Sequence, residues 1–146
     1  MDESVFTTNQ VNPKVWFTPQ KEPLMMSKKK LSFKAIAVAA AINMNGKVIA
    51  LHTVDNAIET TSFCDFLDKV AEYTRGRKCV MLVDNLRVHR TEASTCKAAQ
   101  NSIEMVFNGS YSSWYNPIER LWAWSKARFQ KRCIDGAPYH NQPRMR

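Results

Sequence analysis

The segment Leu31–Thr53 constrains the fold of this chain more than any other part of the sequence. Two apolar runs, Leu31–Met44 and Lys47–Thr53, flank the dipeptide Asn45-Gly46. Asn-Gly between two strand-like runs is a strong short-range signal for a tight hairpin turn. The segment therefore predicts two antiparallel strands, and the other elements must pack around them.

Helical and strand-like patterns alternate after this hairpin. Thr60–Tyr73 carries apolar residues at helical spacing, and Arg75-Gly76-Arg77 predicts its end. Cys79–Val83 is a continuous apolar run, which is typical of a strand buried on both faces. A short helix, a strand and a last helix follow at Thr91–Gln100, Ile103–Phe107 and Pro117–Arg132. The last helix is expected to pack through an apolar stripe, with Trp122 in the core; the stripe comprises Ile118, Leu121, Trp122, Ser125 and Phe129. This order predicts an α/β fold, with helices flanking a mixed β-sheet.

The ends of the chain are less clearly patterned. Residues 1–30 contain turn signals and only short apolar patches, at Val5–Phe6 and Val15–Thr18, followed by the basic cluster Lys28–Lys30. A length of 146 residues suits one core. We expect one folded domain over residues 1–133 and a flexible tail over 134–146.

Several features predict the environment and the partner of the chain. The longest apolar run, Ala35–Ile42, is too short to cross a bilayer, and the first ten residues do not resemble a secretory signal. The four cysteines are widely spaced, which predicts free thiols in a reducing compartment. We therefore expect an intracellular protein of the cytoplasm, nucleoid or nucleus. The net charge of +8 favours a polyanionic partner, most often nucleic acid.

Two carboxylates stand at positions where chemistry is common. Asp84 follows the Cys79–Val83 strand, although an Asx turn would also explain it. Glu119 is the third residue of a helix that Asn116 and Pro117 begin, where an acid also stabilises the helix dipole. Brought together, the two would hold a divalent metal ion. Spacing alone leaves the third acid open among Asp2, Glu3, Asp55 and Asp135.

Two motifs resemble a known family. Asp84–His89 (DNLRVH) and Tyr111–Trp122 (YSSWYNPIERLW), with 34 residues between Asp84 and Glu119, resemble the DDE superfamily transposases and endonucleases of the mariner-like insertion-sequence branch. The hairpin AINMNGKVIA and the helix SFCDFLDKV are similar to family segments as well. The resemblance implies a ribonuclease-H-like fold. It also selects Asp2, in MDES, as the first acid.

The resemblance further implies a reaction and its participants. Asp2, Asp84 and Glu119 would be the catalytic residues and would bind two Mg²⁺ or Mn²⁺ ions for DNA cleavage and strand transfer. Asn85, His89 and Asn116 would lie behind these ligands or face DNA. The residues expected to contact DNA phosphates are Arg120, Lys126, Arg128, Lys131 and Arg132. Trp114 could stack on an unpaired base. The expected partners are transposon ends, target DNA, a second copy of the chain and a helix-turn-helix region.

The sequence also departs from the family pattern. Only Met1 precedes Asp2, where apolar strand residues are usual, so we interpret the chain as truncated at its N-terminus. Asn108-Gly109-Ser110 and Ser113 replace prolines in the loop before Glu119, which should loosen that loop. These departures support an alternative function, that of an inactive transposase remnant that binds DNA non-specifically. A structure-selective nuclease of the same fold is a further alternative.

Overall fold

The computed structural model describes residues 1–7, 35–109 and 116–135. In the described residues, five strands and three α-helices follow one another in this order: β1 (Asp2–Thr7), β2 (Ala35–Ile42), β3 (Val48–Asp55), α1 (Thr60–Thr74), β4 (Cys79–Val83), α2 (Glu92–Gln100), β5 (Ile103–Phe107) and α3 (Ile118–Asp135). A short 3-10 helix, Arg87–Arg90, lies between β4 and α2. The α/β architecture with flanking helices is confirmed.

The predicted hairpin is present at Asn45-Gly46. Strands β2 and β3 pair antiparallel, and Gly46 has the positive φ of 76° that the turn requires. The Asn43 side chain stabilises the turn because its Oδ1 accepts hydrogen bonds from the backbone N–H groups of Asn45 and Lys47, each at 3.0 Å. Strand β2 ends at Ile42, two residues before the predicted end, because Asn43 already belongs to the turn.

Strand β1 is the element that the residue pattern did not reveal. All six of its residues pair antiparallel with β2, from Asp2 opposite Ala40 to Thr7 opposite Ala35. The strand begins with two acids, which have low strand propensity, so the local sequence does not indicate a strand here. Long-range pairing with β2 therefore determines that β1 forms. The resemblance predicted a strand that runs into Asp2, whereas the observed strand begins there. The strand predicted at Val15–Thr18 lies outside the described residues.

One core lies between α1 and the two sheets. Buried side chains of α1 meet alternate residues of β2, β4 and β5: Phe63, Phe66, Leu67, Val70, Ala39, Ala41, Met81, Val83 and Ile103. Strand β4 pairs parallel with β5. The expectation that β4 is buried on both faces is wrong, because Val80 and Leu82 are 65% and 37% exposed. Alternate residues of a strand point to opposite faces, and the described core covers only the face of Met81 and Val83.

Helix α3 forms a second core on the opposite face of the β1–β2 pair. Ala40, Ile118 and Trp122 are its buried residues. The Phe6 ring meets the rings of Trp122 and Phe129 edge to face, with centroids 6.2 and 5.4 Å apart. The predicted apolar stripe of this helix is therefore confirmed. The helix continues three residues past the predicted Arg132.

The two sheets meet at the first residue. The Met1 nitrogen donates a hydrogen bond to the Leu82 carbonyl oxygen at 2.7 Å, and the Met1 side chain is buried in the first core. The contact brings the start of β1 beside the end of β4. All four cysteines are unpaired, as predicted. Within the described residues, no helix has both the length and the apolar character that a membrane span needs. The boundary at residue 133 stays a prediction.

Candidate metal centre and nucleic-acid face

Asp2 lies at the start of β1, where the two sheets meet. Its Oδ2 accepts a hydrogen bond from Trp122 Nε1 at 3.1 Å. Burial raises the pKa of Asp2 to about 6, against a lowering effect of the Glu3 backbone N–H, and the negative charges of Glu119, Glu3 and Asp84 add to the rise. The acids therefore lie close enough for each to oppose ionisation of Asp2.

Asp84 follows β4 directly. Its Oδ1 accepts hydrogen bonds from the Leu86 backbone N–H at 3.2 Å and meets His89 Nδ1 at 2.8 Å. The bond to Leu86 is the Asx turn that the sequence left open. Because both contacts use Oδ1, the turn and a ligand role are compatible, and within the described residues Oδ2 makes no hydrogen bond.

Glu119 is exposed at the start of α3, and buried Asn116 fixes that start. The Asn116 carbonyl oxygen accepts from Glu119 N at 3.1 Å, and its Oδ1 lies 3.5 Å from Ile118 N. Asn116 Nδ2 donates to the Met1 carbonyl oxygen at 3.2 Å. One buried side chain therefore ties the helix that carries Glu119 to the strand that carries Asp2.

Two other candidate acids lie elsewhere. Asp2 pairs with Ala40 of β2, and Asp55 pairs with Ile36 of the same strand. The two acids are therefore offset by about 13 Å along the strand direction, at ~3.3 Å per residue. Asp135 follows Glu119 by 16 helical residues, or about 24 Å at ~1.5 Å per residue. Neither can join a site with Asp2, Asp84 and Glu119. The carboxylate oxygens of these three residues are donors of the kind that a hard divalent cation such as Mg²⁺ or Mn²⁺ prefers.

His89 is fully buried between two carboxylates. Its Nε2 lies 2.7 Å from Glu3 Oε1, its Nδ1 faces Asp84, and its ring contacts the Phe63 ring at 4.4 Å between centroids. Burial alone would lower the pKa of His89, but the hydrogen bond to Glu3 and the charges of Glu3 and Asp84 outweigh it, and the pKa is raised. The contact between Glu3 and His89 is not among the features predicted from the sequence. The adjacent acids Asp2 and Glu3 signal it, because neighbours in a strand point to opposite faces.

Asn85 connects two loops at the carboxyl end of the parallel strands. Its Nδ2 donates to the Asn108 carbonyl oxygen, and its Oδ1 accepts from Arg90 Nη2. The Arg90 guanidinium lies 4.5 Å from the centre of the Phe107 ring. Asn85 therefore holds the loop after β4 against the loop after β5, and these contacts do not include Asp2, Asp84 or Glu119.

The basic residues of α3 form a candidate nucleic-acid face. Arg120, Arg128, Lys131 and Arg132 are exposed, and Lys126 is half-buried. Trp124 is 58% exposed, and the Arg128 guanidinium lies 4.7 Å from the centre of its ring. Trp122 is a core residue, as expected, and it also contacts Asp2. Lys28–Lys30 and Trp114 lie outside the described residues.

Comparisons with solved structures agree with this architecture. The Mos1 strand transfer complex matches with 17% identity and a TM-score of 0.69, over 88% of this chain and 39% of that one. The Mos1 transposase paired-end complex with the left transposon end gives 14% and 0.66, over 87% and 40%. The Mos1 mariner paired-end complex with Mn gives 14% and 0.58, over 92% and 51%. This chain thus spans about half or less of each matched chain.

At these low identities, the structural matches show a shared fold. The predicted ribonuclease-H-like fold is therefore confirmed. Among curated proteins, none matches the sequence. A profile of the family described as DDE superfamily endonuclease matches residues 1–143, which is nearly the whole chain. The chain therefore belongs to the DDE superfamily endonucleases.

Proposed function

We propose that this chain is the catalytic domain of a transposase and performs metal-dependent DNA cleavage and strand transfer. Asp2, Asp84 and Glu119 are the proposed metal ligands. The observation that carries the proposal is the pair of contacts that Met1 makes. Its nitrogen donates to the Leu82 carbonyl oxygen near the end of β4, and its carbonyl oxygen accepts from Asn116 Nδ2 at the start of α3. The segments that carry Asp2, Asp84 and Glu119 therefore meet at one place. The matched structures are named for transposon ends and strand transfer, which supports the same chemistry.

The metal is proposed to be a pair of Mg²⁺ or Mn²⁺ ions. The three carboxylates offer oxygen donors, and a divalent cation would offset the burial and the nearby negative charges that oppose ionisation of Asp2. When bound, such ions activate water or a DNA 3′-hydroxyl and stabilise the leaving oxygen of the phosphodiester.

The protein's own contribution is orientation. Trp122 holds Asp2 through one oxygen, and Asn116 ties the start of α3 to Met1. The exposed cations of α3 would bind phosphates and so place the DNA backbone beside the acids, without reading its sequence. Transposon ends and target DNA are the proposed substrates. A homodimer and a helix-turn-helix region stay predictions of the resemblance.

One observation favours the alternative, a DNA-binding protein without activity. Within the described residues, the hydrogen bond from Met1 N to Leu82 O, the burial of the Met1 side chain beside β4 and the contact of Glu3 with His89 join the start of the chain to β4 and the segment after it. The spacing of Asp2 and Asp84 therefore depends on few contacts. If β1 shifts in solution, the acids separate while the basic face of α3 persists.

A plasmid assay distinguishes the two functions. The purified chain is incubated with supercoiled plasmid and Mn²⁺ or Mg²⁺, beside Asp84→Asn, Glu119→Gln and the matched control Asp55→Asn. The enzyme predicts metal-dependent nicking that both site variants lose and the control keeps. DNA retardation in gels without nicking by any form would support the inactive alternative.

A further inference from the structure

Glu3, His89 and Asp84 form a continuous row of side chains behind the proposed metal ligands. Asp2 and Glu3 are neighbours in β1 and point to opposite faces: Asp2 meets Trp122, and Glu3 meets His89. The His89 ring reaches Glu3 with Nε2 at 2.7 Å and Asp84 with Nδ1 at 2.8 Å. The two ring nitrogens thus serve two different carboxylates.

The row leaves His89 little freedom to move. Its ring is completely buried, and it packs against the Phe63 ring. Its backbone N–H donates to the Leu86 carbonyl oxygen at 3.1 Å, within the short helix that follows Asp84. An ionised carboxylate can only accept hydrogen bonds, so the contact with Glu3 Oε1 places a proton on Nε2 and orients the ring. Nδ1 then faces Asp84, 2.8 Å from Oδ1 and 3.4 Å from the backbone carbonyl oxygen.

Asp84 is the end of the row that matters for function. The Leu86 N–H donates to Oδ1 at 3.2 Å. His89 Nδ1 lies 2.8 Å from Oδ1 and 3.4 Å from the Asp84 backbone carbonyl oxygen, with which it makes its hydrogen bond. These contacts restrict the Asp84 carboxylate and leave Oδ2 to face a cation. We propose that His89 is a positioning residue, anchored by Glu3, that orients the Asp84 carboxylate for the divalent metal. This inference rests on the proposed function, since it takes Asp84 as a metal ligand. Because Asp2 and Glu3 are adjacent in β1, the register of this strand determines the position of Asp2 and also the position of Glu3, which anchors His89.

The same three residues could in principle bind a metal ion directly, since one donor atom from each lies within 4.8 Å of the others. Two observations favour hydrogen bonding. His89 Nε2 makes a hydrogen bond of 2.7 Å with Glu3 Oε1. Its Nδ1 makes one of 3.4 Å with the Asp84 backbone carbonyl oxygen and lies 2.8 Å from the Asp84 carboxylate. Glu3 Oε2 has no hydrogen-bond partner within the described residues, so this oxygen is available to a metal ion. The experiment below therefore also tests whether Glu3 binds the metal directly.

The test measures Mn²⁺ binding to the full chain by isothermal titration calorimetry, with plasmid nicking as a separate readout. Glu3→Ala, His89→Ala and His89→Gln are compared with Glu104→Gln, an exposed strand carboxylate paired with Lys78. We expect the two alanine variants to weaken Mn²⁺ binding by about 10- to 100-fold, as losses behind a metal ligand do. His89→Gln should recover part of the affinity because its amide can still donate to Asp84. Glu104→Gln should not change it.

Melting temperatures without metal separate positioning from folding. The inference is overturned if Glu3→Ala and His89→Ala bind Mn²⁺ within about twofold of the unaltered chain, whatever their stability. It is also overturned if Glu3→Ala abolishes binding as completely as Asp2→Asn, which would make Glu3 a ligand, or if the unaltered chain binds no Mn²⁺. If no form nicks DNA but the predicted order of affinities holds, the proposed activity fails and the positioning role stands.

Discussion

Trp122 Nε1 donates a hydrogen bond to Asp2 Oδ2 at 3.1 Å, across 120 positions of sequence. Trp122 belongs to the core between α3 and the β1–β2 pair, whereas Asp2 is the first residue of β1. Glu119 lies one turn earlier on the same helix. The apolar packing of α3 therefore sets the orientation of one proposed ligand and the position of another.

Trp122→Phe tests this relationship. Phenylalanine keeps an aromatic ring against Phe6 but lacks the N–H that holds Asp2. Hydrogen bonds to charged groups contribute about 1.5–3 kcal/mol, so we expect Mn²⁺ binding to weaken by about tenfold in calorimetry. The matched control is Trp124→Phe, on the exposed side of the helix. Equal affinities in the two variants would show that the bond does not orient Asp2.

The raised pKa of Asp2 predicts an inverted pH dependence of stability. The folded state binds the Asp2 proton more tightly than the unfolded state does, so this group destabilises the fold above its pKa of about 6. The destabilisation is relieved as the pH falls through 6 and is gone below the unfolded value near 4. Asp2→Asn should therefore melt higher than the unaltered chain at about pH 7.5 without metal, and equally at about pH 4.

The shift corresponds to at most about 3 kcal/mol, and partial exposure of the carboxylate reduces the expected gain to about 1 kcal/mol. Addition of Mn²⁺ should reverse the order at neutral pH, because only the unaltered chain keeps the full ligand set and is stabilised by binding. A lower melting temperature of Asp2→Asn in metal-free buffer at neutral pH would contradict the conclusion that the folded state disfavours the ionised form of Asp2.

Asn116→Ala should lower both stability and metal affinity. The change removes the helix cap and the bond to the Met1 carbonyl oxygen, with an expected loss of about 1–2 kcal/mol in the free energy of unfolding. Thr91→Ala is the control because Thr91 caps α2, a helix that carries none of the three proposed ligands, through a bond from Ser94 N at 3.2 Å. Urea unfolding should show similar losses in both variants. Only Asn116→Ala should bind Mn²⁺ more weakly, and a like effect of Thr91→Ala would attribute the loss to general destabilisation.

The basic face of α3 predicts salt-dependent DNA binding. If Arg128, Lys131 and Arg132 each neutralise a phosphate, their triple replacement by alanine should reduce the slope of log K against log salt by about one for each phosphate that is no longer neutralised. Fluorescence anisotropy with a duplex of random sequence measures the slope. Lys78→Ala, an exposed cation paired with Glu104, serves as the control. An unchanged slope in the triple variant would place the DNA-binding surface elsewhere.

The local elements could be predicted from the sequence, because periodicity and turn chemistry determine them. The hairpin at Asn45-Gly46, helix α1 and the stripe of α3 all follow from residue spacing. Strand β1 could not be predicted from local spacing, because Asp2 and Glu3 lower its apparent strand propensity. Pairing with β2 forms the strand in spite of that low propensity. Exposure of Val80 was also missed, because an apolar run does not reveal how many of its faces are covered.

The site was predicted through motifs, and its supporting contacts were not. Asp84 and Glu119 stand out by position, whereas the choice of Asp2 over Asp55 needed the resemblance. The roles of Glu3 and Trp122 depend on which side of β1 each neighbour packs against. Those contacts join residues 86 and 120 positions apart, so no local pattern encodes them.

Anomalous diffraction from a crystal of the chain soaked in Mn²⁺ tests the central claim most directly. The claim is that Asp2, Asp84 and Glu119 together bind divalent metal. It predicts anomalous peaks at roughly 2.1 Å from carboxylate oxygens of all three residues, with His89 Nδ1 still beside the Asp84 carboxylate. A peak held by Glu3 and His89, or saturating Mn²⁺ that leaves Asp2 and Glu119 without a peak, would contradict it.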